Sequence, residues 1–471
     1  MKNIRINSQY IKKGDVFVGI SCENIKDNVI TAINNGASVI FVEQEHKKLF
    51  NGFENVEFIN DARLFASKLA SVFYDKSPET CVAITGTNGK SSVVHFLRQI
   101  WQHSGKKSAS LGTLGLCIDD EITKPEGLEV PSLTTPDAVS LHGILNYMSE
   151  SGVTHFAFEA SSHALDQKRL HSVPLKAAGF TNLASDHLDY HKTKECYLSS
   201  KLKLFSEILP PANPAVVSLD FPDIYSAVKK VHKNIVTFGF GTSNFIRAKN
   251  IQEFSTKIVF DLFFGTDVFE NIIVNLFGRF QVMNVLCAIA LAHACGIDAK
   301  QITENLGRIT QLDGRMEHIC SFNEGNVYVD YAHTSEGFRN CLETFRRTCK
   351  GRLICVFGCG GDRDKTKRQE MGKIASELSD IIIVTDDNPR TEDPVSIRTE
   401  IMSGCEGAVE VSNRKEAIKF GMNLLQSGDA LVVIGKGHET SQIYREQIIH
   451  HNDKEEILKI FKSSIDTNSK I

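Results

Sequence analysis

The stretch from Cys81 to Leu97, CVAITGTNGKSSVVHFL, constrains the fold of this chain more than any other. Its apolar run, Val82 to Thr85, reads as a buried strand, and an amphipathic helix opens near Ser91. Between them lies Gly86-Thr87-Asn88-Gly89, where two glycines let the backbone bend sharply and approach a ligand closely. A helix N-terminus offers unpaired N–H groups and a partial positive charge, so a polyphosphate is its natural guest. Lys90 is then placed to reach the β- and γ-phosphates and Ser91 to hold Mg²⁺ through its hydroxyl, with Ser92 next in the turn. Ile84 stands where the general pattern G-x-x-x-x-G-K-[ST] has its first glycine. An ordinary strand–turn–helix with a solvated lysine is the bland alternative. Glycine, lysine and hydroxyl falling together directly after a strand favour nucleotide binding.

A chain of 471 residues divides into roughly three domains, each able to bury a core. Residues 1–77 read as a small α/β unit with strands DVFVGI, SVIFVEQ and EFIN, a helix around Val29 to Asn35, and a closing helix. Asp75 to Pro78 reads as a linker. Over residues 78–308 strands and helices alternate, which predicts a mainly parallel sheet covered on both faces. Two β-branched, aromatic runs, TKIVFDLFF and NIIVNLF, add strands near its end, before the helix FQVMNVLCAIALAHACG stops at glycine. Residues 309–471 form a second alternating, Rossmann-like α/β region with strands NVYVDYA, RLICVFGCGG, DIIIVTDD and ALVVIGKG, closed by a polar helix from Lys454 to Lys470.

A formal net charge of −4, from 53 basic and 57 acidic residues, indicates neither a nucleic-acid surface nor a membrane surface. Twelve scattered cysteines without a CxxC pair suit reduced thiols rather than a disulfide framework or a zinc site. The N-terminus lacks the apolar stretch of a signal peptide, and no segment reaches the ~18 apolar residues of a membrane span. The expectation is a cytoplasmic monomer whose partners are small-molecule substrates.

In open α/β sheets ligands bind beyond the carboxyl ends of the strands, and the chemically dense residues of this chain fall there repeatedly. Glu159 and His163 follow the run HFAF, and Asp186, His187, Asp189 and His191 form DHLDYH after another strand. A buried carboxylate such as Glu159 is costly unless paired, and near a phosphate loop it suits Mg²⁺. His163 taken singly reads more often as a structural, hydrogen-bonding histidine, and DHLDYH alone as a capping turn before the next helix. Thr134-Thr135-Pro136 reads as a helix N-cap followed by proline at the first helical position, with hydroxyls that a phosphate or sugar could also use. Lys201 lies on the helix ECYLSSKLKLF, by default as a surface lysine. In the last region GCGGDRDKTKR supplies glycines followed by Arg363, and DDNPR sets Asp387, Asn388 and Arg390 around the rigid Pro389. GKGHE adds Gly435, His438 and Glu439. A guanidinium recognises a carboxylate in bidentate fashion, and a carboxylate suits a substrate ammonium. The bland readings are a flexible basic loop and an Asn-Pro turn.

Taken together, TGTNGKSS, EASSHALDQKR, NLASDHLDYH, LDGRMEHI, VYVDYAHT, GCGGDRDKTKR, DDNPR and GKGHE resemble, in order, the motifs of the ATP-dependent Mur ligases of peptidoglycan synthesis. The resemblance covers essentially the whole chain, most weakly the first 77 residues. It implies a three-domain architecture: a UDP-binding domain (1–77), an ATPase domain (78–308) and an amino-acid-binding domain (309–471). DDNPR and GKGHE resemble the members that add meso-diaminopimelate to UDP-N-acetylmuramoyl-L-alanyl-D-glutamate. The likeness implies Lys90 and the loop Gly86 to Ser92 on ATP, Ser91 and Glu159 on Mg²⁺, and His187 on a second metal ion. It matches Lys201 to a carbamylated lysine, and Asn284, Arg315, Asp330 and His333 to ATP-side contacts. Ser8, Thr134, Thr135, Ser161, Gln167 and Arg169 match positions that hold the UDP-sugar dipeptide. Arg363, Asp387, Asn388, Pro389, Arg390, Gly435 and Glu439 match the amino-acid pocket. Three departures stand out. The usual Asp-Ser-Arg near the N-terminus is Asn7-Ser8-Gln9, Gln281 replaces an asparagine, and Ser185 stands where arginine is common. The rivals are another amide ligase of the superfamily, using lysine or a folate or glutamate chain, and a nucleotide-dependent switch without turnover.

Overall fold

The computed structural model describes residues 3–468 except 21, 22, 120, 124, 126, 127, 129, 132, 185, 187 and 255. The chain divides into two compact units. One holds Met1–Ala248, Leu262–Phe269 and Met283–Leu306; the other holds Lys249–Asp261, Glu270–Val282 and Gly307–Ile471. No helix among the described residues is long and apolar enough to cross a membrane.

The first unit opens with a four-stranded parallel sheet: β1 (Ile4–Arg5), β2 (Val16–Val18), β3 (Val39–Glu43) and β4 (Val56–Ile59), side by side in that order. Two helices accompany it, α1 (Ile25–Asn34) and α2 (Ala62–Phe73). The Asp61 carboxylate caps α2 by accepting from the Leu64 N–H at 2.8 Å, meeting one of the unpaired donors of a helix start. Ala62, Ala66 and Ala70, four residues apart, bury one face of α2. The two-residue β1 escaped the sequence reading because so short a strand has no period to detect.

Eleven strands then form one sheet: β5 (Thr80–Thr85), β6 (Ser108–Gly112), β7 (Gly115–Ile118), β8 (Glu121–Ile122), β9 (His155–Glu159), β10 (Leu175–Phe180), β11 (Ala215–Ser218), β12 (Ile235–Gly239), β13 (Ile246–Glu253), β14 (Ile258–Phe264) and β15 (Asp267–Val274). Their order across the sheet is β15-β14-β13-β12-β11-β10-β5-β9-β6-β7-β8; β13 to β15 contribute residues to both units. β5, β9 and β10 are parallel neighbours at the middle, with Ile84 beside Glu159 and Gly179. Every residue of β5 is buried, as in a strand covered on both faces. β5 leads through α3 (Lys90–His103) to β6, which lies beyond β9, while β10 lies on the other side. The loop after β5 therefore sits where the strand order reverses, the usual place for a ligand. The helix α4 (Ala138–Glu150) corrects the reading of Thr135-Pro136. Asp137 is its N-cap, accepting from the Val139 and Ser140 N–H groups, which leaves the threonine hydroxyls for other partners.

The second unit carries a six-stranded sheet in the order β16-β17-β21-β18-β19-β20. Its strands are β16 (Glu317–Phe322), β17 (Gly325–Asp330), β18 (Leu353–Phe357), β19 (Ile381–Val384), β20 (Val409–Glu410) and β21 (Ala430–Ile434). All pairings are parallel except β16 with β17. A hairpin, β22 (Ser441–Tyr444) with β23 (Gln447–His450), follows, and a helix spans Asp453–Asn468. The eleven described cysteines are all free, seven of them buried.

Candidate active site

The first site lies at the carboxyl ends of β5, β9 and β10. Gly86 has φ +142°, and a Cβ there would stand inside van der Waals contact with the Thr181 hydroxyl and 3.1 Å from the Asn182 carbonyl, so no side chain fits. The loop is laced to the residues after β10. Asn88 N–H donates to Asn182 Oδ1 at 2.9 Å, and the Thr181 hydroxyl donates to the Asn88 carbonyl at 2.6 Å. Gly89, the N-cap of α3, has φ +83°, and a Cβ on it would meet Asn284 Oδ1 at 2.3 Å. Asn284 therefore lies directly against the loop, while Ser92 is buried in the first turn of α3.

Two ammonium groups converge on the same turn. Lys90 Nζ donates to the carbonyls of Gly86 and Thr87 at 3.0 and 2.9 Å. Lys201 is not on the surface: it is buried, and its Nζ donates to the Gly86 carbonyl at 2.7 Å while lying 4.3 Å from the centre of the Tyr197 ring. Burial, reinforced by the neighbouring Lys90, holds the Lys201 ammonium well below the ordinary lysine range. Helical periodicity could not reveal this, because the carbonyl that Lys201 meets comes from the loop after β5.

Glu159 is only 2% exposed. Its Oε1 accepts from the Ser91 hydroxyl and from the Thr113 N–H, each at 2.8 Å. A Cβ on Gly112 would lie 2.1 Å from the same oxygen, so the carboxylate fits only because position 112 has no side chain. No ion pair to Glu159 occurs among the described residues. A buried carboxylate bonded to a hydroxyl and an amide, with no cation beside it, has the hard oxygen donors that Mg²⁺ prefers. His187 lies outside the described residues. His163 packs its ring on Tyr190, centroids 4.2 Å apart, and His191 is buried with its Nε2 on the Ser162 hydroxyl at 3.0 Å.

The Thr135 hydroxyl donates to the Glu159 carbonyl at 2.7 Å and accepts from the Ser161 N–H at 3.1 Å. Thr134 reaches the Thr113 hydroxyl at 3.3 Å. Arg169 donates to the Thr135 carbonyl at 2.7 Å and to Gln167 Oε1 at 2.7 Å. Gln167 and Arg169 line a cleft of about 270 Å³ whose walls include Ile6, Ile20, Arg63 and Leu133. Ser8 does not line it; it is buried, and its hydroxyl donates to Asn28 at 3.3 Å.

The second unit collects the remaining residues at the carboxyl ends of β17, β21, β18 and β19. Asp330 is buried and accepts from the Met316 and Ala332 N–H groups at 2.8 and 2.7 Å; burial raises its carboxyl above the ordinary range. The Arg315 guanidinium lies 4.5 Å from the centre of the Tyr331 ring, and His333 stands exposed at that ring's edge. A Cβ on Gly314 would meet the His438 nitrogen at 2.3 Å, so LDGR packs backbone to backbone on GKGHE.

Lys436, inside GKGHE, has no exposed surface and donates to Asn388 Oδ1 at 3.1 Å and Glu439 Oε2 at 2.9 Å. Asn388 in turn donates to Glu439 Oε2 at 2.9 Å. Asp387 lies under Gly435, where an added Cβ would come within 2.7 Å of its Oδ2. Arg390 adopts φ +54°, an uncommon conformation for a side-chain-bearing residue. It is held there by its N–H on the Ile443 carbonyl at 2.9 Å and by its guanidinium on the Gly361 carbonyl at 2.7 Å. Pro389 is buried between them, and Arg363 is exposed. The hairpin after GKGHE is a brace that sequence reading missed: Gln442 donates to the Asp386 and Asp387 carbonyls, and Ile443 N–H to Asn388 Oδ1. Only the glutamine's burial within a short polar strand reveals it, and that is a tertiary fact.

A family model described as the Mur ligase middle domain matches residues 84–292, and one described as the Mur ligase, glutamate ligase domain, matches residues 314–437. The chain belongs to the Mur ligase family. The UDP-N-acetylmuramoyl-L-alanyl-D-glutamate–2,6-diaminopimelate ligase of Rhizobium meliloti (strain 1021) is 43% identical over 462 residues, covering 97% of this Mur ligase and 93% of that protein. A solved structure of a ligase of the same name superposes with a TM-score of 0.72 at 29% identity, covering 98% and 95% of the two chains. The MurF ligase of Thermotoga maritima in complex with ADP shares the fold, with a TM-score of 0.64 at 17% identity over 99% and 98% of the chains.

Proposed function

We infer that this Mur ligase is a cytoplasmic enzyme that joins meso-diaminopimelate to UDP-N-acetylmuramoyl-L-alanyl-D-glutamate at the expense of ATP, in peptidoglycan precursor synthesis. Residues 1–77 serve the UDP end of the substrate, 78–308 the ATP, and 309–471 the incoming amino acid. The observation that carries the reading is the buried Glu159 carboxylate, bonded to Ser91 on the phosphate loop and paired with no cation among the described residues. Ser91 and Glu159 would hold Mg²⁺, which when bound offsets the charge of the triphosphate. Lys90 turns from the loop carbonyls to the β- and γ-phosphates, and the γ-carboxylate of the D-glutamyl residue attacks the γ-phosphorus to give an acyl phosphate and ADP. The amine of diaminopimelate then attacks the acyl carbon, the amine proton is lost, and phosphate leaves. Positioning and electrostatics supply most of the acceleration in such transfers.

Lys201 reacts with CO₂ as the neutral amine, forming a carbamate and releasing a proton. The depressed affinity of its ammonium for a proton supports this, since a larger fraction of the amine is free at neutral pH. Arg390 and Arg363 hold the distal carboxylate of the amino acid, and Asn388 and Glu439 its amino end. A lysine substrate lacks that carboxylate and leaves the guanidinium unmatched. The test offers radiolabelled diaminopimelate and lysine in parallel with ATP and the UDP-dipeptide. Phosphate release should require both the UDP-dipeptide and diaminopimelate. Equal incorporation of lysine, or release with nucleotide alone, would sink the assignment.

A further inference from the structure

Arg63, on α2 of the N-terminal sheet region, belongs to no motif singled out in the sequence, yet it lines the 270 Å³ cleft beside Gln167 and Arg169. Its Nη1 donates to Gln167 Oε1 at 3.2 Å, and Arg169 donates to that same oxygen through Nε at 3.2 Å and Nη2 at 2.7 Å. Two guanidinium groups thus share one neutral amide oxygen. A guanidinium offers five donors in a fixed fork that matches carboxylate and phosphate oxygens, and a neutral amide oxygen is a poor substitute for either. Burial and the nearby Arg63 both depress the Arg169 guanidinium. Asp137, the one carboxylate in the lining among the described residues, already accepts from two N–H groups of α4 and from the Ser140 hydroxyl at 2.6 Å.

The placement of Arg63 is built in. Two residues before it Asp61 pairs with Lys168, and four residues after it the Ser67 hydroxyl donates to the His171 carbonyl. Both contacts fasten α2 to the segment that carries Gln167 and Arg169. The rest of the wall is apolar, with Ile6, Ile20, Ala66 and Leu133, which strengthens a charged hydrogen bond formed there. Ser8 does not line this cleft, and its hydroxyl donates to Asn28.

We propose that Arg63 and Arg169 together form a two-guanidinium cradle that binds an oxyanion of the UDP-sugar peptide, with Gln167 Oε1 occupying the anion's place when the cleft is empty. The proposal rests on the ligase reading above. The oxyanion is either the diphosphate or a carboxylate of the peptide, and the experiment separates the two.

Steady-state kinetics on the full chain provide the test. Loss of one charged hydrogen bond predicts that Arg63→Ala raises KM for the UDP-dipeptide about 10- to 100-fold, with KM for ATP and diaminopimelate unchanged within about twofold. An unchanged KM for the UDP-dipeptide overturns the cradle. Two competitors then assign the anion: UDP carries only phosphates, and the muramoyl dipeptide freed of UDP carries only carboxylates. Weaker inhibition by UDP in Arg63→Ala identifies the diphosphate, and weaker inhibition by the free dipeptide identifies a carboxylate. No weakening of either overturns the proposal. Gln167→Glu places a permanent carboxylate between the two guanidiniums. It should raise the thermal midpoint while raising KM for the UDP-dipeptide, and a lowered midpoint with unaltered KM overturns the proposal even if Arg63→Ala does not fold. Wild-type protein inert toward the UDP-dipeptide would defeat the ligase reading instead, whereas the midpoint of Gln167→Glu tests the cradle without turnover.

Discussion

The loop after β5 and the DDNPR–GKGHE cluster hold their cations differently. Around Gly86, Lys90 and Lys201 rest on main-chain carbonyls. Around Asn388 the buried cations meet carboxylates: Lys436 with Glu439, Arg398 with Asp386, Arg414 with Asp453. A carbonyl is a dipole that an arriving polyanion displaces readily, whereas a carboxylate already offsets the charge beside it. In the proposed reading Lys90 leaves its carbonyls for the triphosphate, while Lys201 acts as the neutral amine. The cluster is a finished frame, with its charges spent on holding Asn388 and the carbonyls of Asp386 and Asp387 in place.

The largest effect should come from Lys90→Ala. Removing the group proposed to meet phosphate charge should lower kcat by about 10²- to 10³-fold, read as phosphate release. The two hydrogen bonds to the Gly86 and Thr87 carbonyls contribute about 1 kcal/mol each, so the stability change should be small beside the loss of activity. A collapse in thermal midpoint with that substitution would mean that Lys90 is a structural pin and the contrast is false. Arg390→Ala comes next. It removes the guanidinium proposed to meet the distal carboxylate and should raise KM for diaminopimelate about 10- to 100-fold, with KM for ATP unmoved. If both KM values rise together, the pocket is not specific to the amino acid.

Much of this was legible in the chain, for definable reasons. Strands buried on both faces leave continuous apolar runs, and the polar residues that end them announce a sheet edge. GTNGKSS and DDNPR could be placed at strand ends from that punctuation alone. What escaped reading depends on partners distant in sequence. The carbonyl that Lys201 meets lies more than a hundred residues earlier, and Arg63 meets Gln167 across 104 positions. Lys436 lay inside a motif that had been recognised, yet its burial could not be inferred from flanking glycines. Ser8, matched to a binding position, bonds its hydroxyl to Asn28, a contact the sequence does not announce.

Lys436→Met sharpens the comparison with a smaller effect. Glu439 keeps 31% of its side chain exposed, so water offsets part of the loss. The cost to stability should be about 1–2 kcal/mol, below that of breaking a fully buried pair. Asn388 then loses one of the two donors that orient its amide, and KM for diaminopimelate should rise several-fold while kcat changes less. An unchanged KM with lowered stability would make Lys436 a part of the frame only.

The smallest effect, and the one that separates the two units, is the response to acid. His155 in the first unit and His438 in the second are each held at about 4 by burial. An unfolded histidine titrates near 6.5. Between pH 6.5 and 4 the unfolded chain therefore binds protons that the native chain refuses, and stability rises with pH across that window. The contribution of each histidine is fully present above 6.5 and is lost as pH falls toward 4, with a slope of at most about 1.4 kcal/mol per pH unit. The only tryptophan, Trp101, lies in the first unit with its ring 5.1 Å from that of His155, so urea unfolding followed by fluorescence reports that unit, while circular dichroism reports both. His438→Gln should flatten the acid dependence in circular dichroism and leave the fluorescence curve sloping. His155→Asn should do the opposite. If either substitution flattens both curves equally, the two units unfold as one, and their separate treatment of charge does not extend to separate stability.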